Sequence, residues 1–306
     1  MSAPNFFLIG APKCGTTAIA HYLAERDDVF FSRPKEPLFW CRDLGIEPHA
    51  LRAETLKEYE FLFSEAEPLR HRIIAEGTTS YLRSRQALTE CIEHYPQAKF
   101  VAILRNPVDV AHAFHMEQLY TGLEKEKDFA AAWRDQPQRE ATWDAATDER
   151  PDSLLYRRIA SFASQIETFF ALVPPEQRKV IIYDDLRQNP RAVWLELLAF
   201  LQLPDDGRTD FSPRNAAHAQ RFPALSHFLL APPRPLAPAL KALRKTLLAQ
   251  DRGPVRALKR FLNVKRPRDV LDPALRAEMT AAFGPDVERL ETLLDRPLPG
   301  WKDAGS

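Results

Sequence analysis

Phe6-Phe7-Leu8-Ile9-Gly10-Ala11-Pro12-Lys13-Cys14-Gly15-Thr16-Thr17 decides how the chain folds. Four consecutive large apolar residues suit a strand covered on both faces of a parallel sheet. Gly10 and Gly15 leave the backbone bare, so an anion can approach the peptide without meeting a side chain. The amides of Gly15, Thr16 and Thr17 fall at the start of a helix, where the dipole favours negative charge. Ile19, Tyr22 and Leu23 then recur at helical spacing. The stretch predicts a strand, an anion-gripping turn and a helix.

The turn departs from the common nucleotide loop, G-x-x-x-x-G-K-[ST], in which a lysine follows the second glycine. Thr16 holds that position here, and the lysine comes earlier, at Lys13. The strand Phe100-Val101-Ala102-Ile103-Leu104 ends in Arg105, with no aspartate there to help hold magnesium. These residues predict a site that binds phosphate with protein cations and without a metal.

Several segments carry a family resemblance. Gly-Ala-Pro-Lys-Cys-Gly-Thr-Thr at 10–17 resembles the 5′-phosphosulfate loop of the PAPS-dependent sulfotransferases. Leu104-Arg105-Asn106-Pro107-Val108-Asp109 resembles their 3′-phosphate motif. Lys35-Glu36-Pro37 resembles the Lys-Glu-Pro variant of heparan-type enzymes and many bacterial relatives. Glu76-Gly77-Thr78-Thr79-Ser80-Tyr81 and Val180-Ile181-Ile182-Tyr183-Asp184-Asp185-Leu186 extend the match in the right order over roughly the first two hundred residues.

The resemblance implies transfer of a sulfuryl group from PAPS, as cosubstrate, to a hydroxyl or amine. It places Lys13, Cys14, Gly15, Thr16 and Thr17 around the 5′ end of the donor, with Lys13 stabilising the leaving phosphate. Arg105 takes the 3′-phosphate, its planar fork suiting that group. The family's serine eight residues after that arginine is Ala113 here, and its arginine five residues after is Val110. His112, or an element elsewhere, would have to serve in the serine's place; His115 reads as an ordinary helix histidine. Arg214, Asn215 and Arg221 match loosely a loop that covers the adenosine and its 3′-phosphate.

An attacking hydroxyl needs a base or an orienting carboxylate. Glu36 is the candidate, with Lys35 beside it to neutralise sulfuryl oxygens or to pair with a carboxylate; the alternative for Glu36 is a surface ion pair. Glu76, Thr78, Ser80 and Tyr81 would lie beside the acceptor, or would satisfy local backbone groups. Phe39, Trp40, Tyr120, Trp133 and Tyr156 would line the acceptor cleft or fill the core.

The chain has 306 residues, 42 basic and 42 acidic, with 45% hydrophobic residues. That length suits one α/β domain or one with an appended lobe. Neutral net charge argues against a general nucleic-acid binder. No stretch has the ~18 apolar residues of a membrane span. Met1-Ser2-Ala3-Pro4 enters the first strand almost at once, which predicts no signal peptide and a cytoplasmic protein. Cys14, Cys41 and Cys91 share no metal-like spacing. Cys14, though next to Lys13, is read as a small residue fitting a tight turn rather than an activated thiol.

Strands are expected at 5–9, 73–76, 99–104 and 179–183, with a short extended piece near 29–31. Helices are expected at 16–26, 53–64, 84–94, 107–121, 153–172, 190–201, 237–249 and 273–295. The alternation predicts a P-loop-type three-layer α/β fold, a central parallel sheet flanked by helices, plus a helical C-terminal extension. Residues 1–306 are read as one domain, an α/β core over 1–203 and a helical lobe over 204–306 on the same core. The segment 124–152 is polar and irregular apart from a short helix near Phe129, Ala132 and Trp133; it shapes the acceptor cleft or is a surface excursion. Residues 234–268 hold eleven basic residues against one acid, which suits an anionic partner or surface, or a solvated face. The acceptor is expected to be a small molecule, a glycan or a carrier-bound group. Two alternatives stand beside the sulfotransferase reading: a P-loop nucleotide or small-molecule kinase, and a non-catalytic nucleotide-binding module.

Overall fold

In the computed structural model, which describes residues 3–45, 53, 55–144, 152–212, 218–220, 263–265 and 270–303, the apolar run becomes β1 (Phe6–Gly10), buried along its whole length. It is central in a five-stranded sheet with β2 (Val29–Phe31), β3 (Ile73–Glu76), β4 (Lys99–Leu104) and β5 (Arg178–Ile182), in the order β2-β3-β1-β4-β5. All four pairings are parallel. The order reverses between β1 and β4, and a ligand cleft opens beyond the strand ends at such a switch. Phe7 lies opposite Phe100 and Leu8 opposite Val101, and the Ala11 amide donates to the Ile103 carbonyl at 2.7 Å. The loops that leave β1 and β4 are therefore neighbours.

The helices around this sheet start and stop where local chemistry says. In α4 (Pro107–Thr121) the Asn106 side chain accepts from the Val108 amide, Pro107 fills the first turn and Gly122 ends it in the left-handed region. Ser84 caps α3 (Arg85–His94), and Thr55 with Glu58 forms a capping box that starts α2 (Leu56–Phe61). Asn189-Pro190 separates α9 (Tyr183–Gln188) from α10 (Pro190–Leu201). The first helix, α1 (Thr16–Ala24), begins at the anion-gripping turn.

Two expectations from the sequence are corrected. The single helix expected over 153–172 is a short 3₁₀ turn, then α7 (Tyr156–Ala160) and α8 (Ala163–Leu172), broken at Ser161-Phe162. The break exists because the Asp286 carboxylate, from the far end of the chain, accepts from the Phe162 amide at 2.8 Å and the Ala163 amide at 3.2 Å. It starts a new helix there. The segment after α4 is also less irregular than its composition suggests, with α5 (Phe129–Arg134) and α6 (Gln136–Thr142). Its organiser is buried Glu124, whose carboxylate accepts from Arg139 at 2.6 Å, from the Tyr156 hydroxyl at 2.7 Å and from the Lys125 and Glu126 amides at 2.8 Å. Burial opposes ionisation of Glu124, but these donors hold its pKa down at about 2.

The helix expected at 273–295 is α11 (Pro273–Leu294). It keeps Pro285 in its interior, where the ring removes a backbone donor. Burial of Met279, Phe283, Val287 and Leu290 against the core offsets that loss. Four further contacts staple the C-terminal segment to the sheet's ligand end. Asn106 donates to the Gly300 carbonyl at 3.2 Å, Trp301 to Asp184 at 2.8 Å, Arg296 bidentately to Asp185, and Arg276 to Asp109 at 2.7 Å. Backbone pairing also joins β6 (His218–Gln220) to β7 (Asn263–Lys265), antiparallel. Among the described residues no helix is long and apolar enough to cross a membrane.

Asp286→Ala removes the acceptor for two helix-starting amides. It is expected to lower stability by about 1–2 kcal/mol in urea unfolding, and an unchanged midpoint would refute the role of Asp286 in dividing α7 from α8.

Candidate active site

Gly15 sits in the left-handed region at φ 89°, where an L side chain is strained. A Cβ there would also meet two ring carbons of Tyr183 at 3.0 and 3.1 Å. The turn therefore requires glycine on two counts. The N-cap residue of α1, Gly15, makes no side-chain cap bond, so the α1 N-terminus has the character of an anion-accepting end. Thr16 is buried and Thr17 is exposed at the mouth. Cys14 is fully buried, with its thiol donating to the Pro12 carbonyl at 3.3 Å. Burial pushes that thiol up to about 12, against the pull of Arg105 and Lys13, so it stays protonated and packs as a small residue.

Lys13 takes a left-handed turn at φ 62° and sends its ammonium to within 3.5 Å of Glu117 on α4. Arg105 ends β4 with its guanidinium against the same loop. One nitrogen lies 3.5 Å from the Lys13 carbonyl, another donates to Asp109 at 2.8 Å, and the group lies 5.0 Å over the Tyr183 ring. The two cations singled out by sequence thus border one region. Tyr183 touches both halves of it, packing under Gly15 and under Arg105.

The second side of the region comes from the Lys35-Glu36 segment and the turn after β3. Glu36 is partly exposed; Lys35 reaches it at 3.0 Å and the Thr79 hydroxyl donates to its other oxygen at 3.1 Å. Lys35 also donates to the Gly77 carbonyl at 3.0 Å, and the Gly77 amide donates to the Lys35 carbonyl at 3.1 Å. A Cβ on Gly77 would press on Phe31 at 3.0 Å and on Lys35 at 3.3 Å. Glycine lets the two segments dock.

Behind this surface the turn is buried. Thr78 accepts from the Leu38 amide at 3.3 Å and Tyr81 from the Trp40 amide at 3.4 Å, and Ser80 is buried with them. Phe39 is buried too, stacked on Tyr59 at 4.8 Å and edge-on to Trp40 at 4.6 Å. Trp133 packs on Phe283, and Tyr156 is a core side chain. Glu76 has no exposed surface. Tyr59 donates to one of its oxygens at 3.2 Å, and the other has no hydrogen-bond partner among the described residues. Burial pushes its carboxyl up to about 7, with the hydroxyls of Thr78, Tyr81 and Tyr59 pulling the other way.

Two acids that sequence reasoning passed over complete the site, Asp109 and Glu117. With Ala113 between them they follow Arg105 at four-residue steps, so they form one stripe along α4. That spacing was the available signal. Glu117 faces Lys13; burial raises its pKa, Lys13 lowers it and nearby Glu36 raises it further. Burial also opposes ionisation of Asp109, but the Arg276 hydrogen bond and the Arg105 charge keep its pKa low. Ala113 is buried, and Val110 is fully so. The His112 ring lies 4.9 Å from Phe129, while His115 is a core histidine bonded to the Glu126 carbonyl at 2.8 Å. Arg214, Asn215 and Arg221, the helix expected at 237–249, and the basic segment 234–268 apart from 263–265 lie outside the described residues.

Comparison with known proteins gives this arrangement a family context. A family model described as "Sulfotransferase domain" matches residues 3–216. Over 226 residues, 72% of this chain, the sequence is 24% identical to a bifunctional heparan sulfate N-deacetylase/N-sulfotransferase 1 of Caenorhabditis briggsae. The chain spans about a quarter of that relative's length, 25%. A crystal structure of a sulfotransferase from Alicyclobacillus acidocaldarius superposes with a TM-score of 0.72 and 23% identity, covering 99% of this chain and 100% of the other. That likeness is one of fold.

Glu76→Gln tests the buried carboxyl. Below pH 4.5 the group is protonated whether the chain is folded or not; between 4.5 and about 7 only the folded state holds the proton, so stability falls as pH rises through that window. The variant is expected to be more stable than wild type at pH 8, by about 1–3 kcal/mol, with the gap closing toward pH 5. A gap independent of pH would show that Glu76 is not the group responsible.

Proposed function

The chain belongs to the sulfotransferase domain family, and from that premise we propose that PAPS is its sulfuryl donor and that a hydroxyl or amine of a small-molecule, glycan or carrier-bound acceptor is its target. The observation that carries this reading is the contact between the Arg105 guanidinium and the backbone of the Lys13 loop. One molecule with a phosphate at each end would span cations placed so. Gly15 gives the loop the bare cradle that such a ligand needs. The kinase alternative is not favoured, since Thr16 stands where its lysine would follow Gly15.

When bound, PAPS would supply the activated sulfuryl group and a phosphate leaving group. Lys13 and the first amides of α1 would hold the charge that grows on that phosphate, and Arg105 would fix the other end. Lys13 must leave Glu117 to do so, and a partly exposed ion pair of this kind costs only about 1 kcal/mol to break. Glu36, held by Thr79 and Lys35 with its carboxylate still partly open, would orient the acceptor and take its proton. Lys35 would then face the transferring oxygens. Positioning and charge supply most of the rate in displacements of this kind. Thr16, Thr17 and Cys14 shape the turn. Thr78, Ser80, Tyr81 and Phe39 would act from behind, by holding the Lys35-Glu36 segment in place. The whole of 1–306 is read as one domain, working in the cytoplasm, with any anionic partner met by the basic 234–268 segment.

Adenosine 3′,5′-bisphosphate, the desulfated donor, is expected to raise Tm without magnesium. At one hundred times Kd the linkage is worth about 2.7 kcal/mol, a shift of roughly 5 °C for a chain of this size. Stronger stabilisation by ATP–magnesium would overturn the assignment. Lys13→Ala is expected to cut kcat by about 10²–10³-fold while the bisphosphate still binds; Glu36→Gln is expected to abolish turnover with donor affinity unchanged.

A further inference from the structure

The strand-end arginine is not a free cation. Arg105 gives one nitrogen to Asp109 at 2.8 Å, and the two form a neutral pair. A nearly dianionic phosphate gains little from a neutral pair, and the Asp109 carboxylate would repel it. The structure contains the correction. The other oxygen of Asp109 accepts from Arg276 at 2.7 Å. Two guanidiniums now share one carboxylate, and the cluster is positive again. The shared acid keeps a low pKa, so it stays charged and holds both forks. Arg276 is partly exposed and, among the described residues, spends a single nitrogen on Asp109.

Its position is built. Arg276 lies in the first turns of α11, which Asp272 caps through the Ala274 and Leu275 amides. The chain after α11 also reaches the end of β4, where Asn106 donates to the Gly300 carbonyl at 3.2 Å. Position 113 lies one helical turn beyond Asp109 on the same stripe of α4 and offers only a methyl group. The family model stops at residue 216, so Arg276 lies outside the matched span.

We infer that Arg276 is a second guanidinium of the donor's 3′-phosphate site, doing from the C-terminal helix what Ala113 cannot do from α4. This rests on PAPS being the donor. The class of ligand selected is an adenosine nucleotide phosphorylated at both the 3′ and 5′ positions, over one phosphorylated at 5′ alone. Binding then couples to the C-terminal helix, because the 3′-phosphate bridges α11 to β4.

The test is calorimetric titration with adenosine 3′,5′-bisphosphate and with adenosine 5′-monophosphate. Wild type is expected to prefer the bisphosphate, and Arg276→Ala to lose about tenfold or more of that preference, the worth of one charge-assisted hydrogen bond, with monophosphate affinity unchanged. Arg276→Gln, which keeps a polar donor on a shorter, uncharged side chain, guards against misfolding and is expected to show the same loss, while Arg276→Lys recovers part of it. In unaltered protein, amides near residue 276 are expected to exchange more slowly with the bisphosphate than with the monophosphate. A preference unchanged in Arg276→Ala and Arg276→Gln, in a wild type that shows one, would overturn the role of Arg276 and leave the donor assignment standing. A wild type with no preference would overturn the donor assignment, and this inference with it.

Discussion

Everything at the ligand end depends on the pairing of β1 with β4. Their register sets Leu8 against Val101, and the Ala11 amide still bonds to the Ile103 carbonyl after β1 has ended. The last shared rungs fix where each chain leaves the sheet. The Lys13 loop and Arg105 then emerge side by side, and neither can shift without breaking buried backbone hydrogen bonds in a largely apolar layer. An anion site made of two loops needs such a rigid origin, because loops alone would not hold two cations at a set spacing.

The second dependence runs the other way along the chain. Among the described residues the C-terminal segment adds no strand to the main sheet, yet it touches the end of β4 through Gly300, the end of β5 through Trp301 and Arg296, α4 through Arg276 and the start of α8 through Asp286. Each contact lands on a polar group that the α/β core would otherwise leave incomplete: a capping side chain, an acid at a strand end, a helix start. The described part of this segment works as a polar clamp at the carboxyl ends of the strands as well as an apolar cover.

Much of this was legible in the sequence, for identifiable reasons. Buried parallel strands are near-continuous apolar runs, so β1, β3 and β4 could be located nearly to the residue, and β5 from its Val180-Ile181-Ile182 end. Gly15 and Lys13 could be singled out because a tight anion turn restricts residue type. What stayed hidden depends on long-range pairing. The division at Phe162 needs Asp286, more than a hundred residues on, and nothing local announces it. Glu124 reads as one acid in a polar stretch until Arg139 and Tyr156 fold onto it. Asp109 reads as a helix-start acid until Arg276 arrives.

The stripe Arg105, Asp109, Ala113, Glu117 shows why charge in this site has to be read in three dimensions. Along α4 it alternates a cation, an acid, a methyl and an acid, which looks like an ordinary mixed surface. In space each acid is matched from another element, Asp109 by Arg276 and Glu117 by Lys13. The acids hold the cations at the two ends of the stripe, and Ala113 leaves the middle free of charge. This arrangement keeps the cations ordered without fully neutralising the cluster. On the proposed donor reading, reorganisation on binding would reduce to moving Lys13 off Glu117, while the guanidinium end is already assembled.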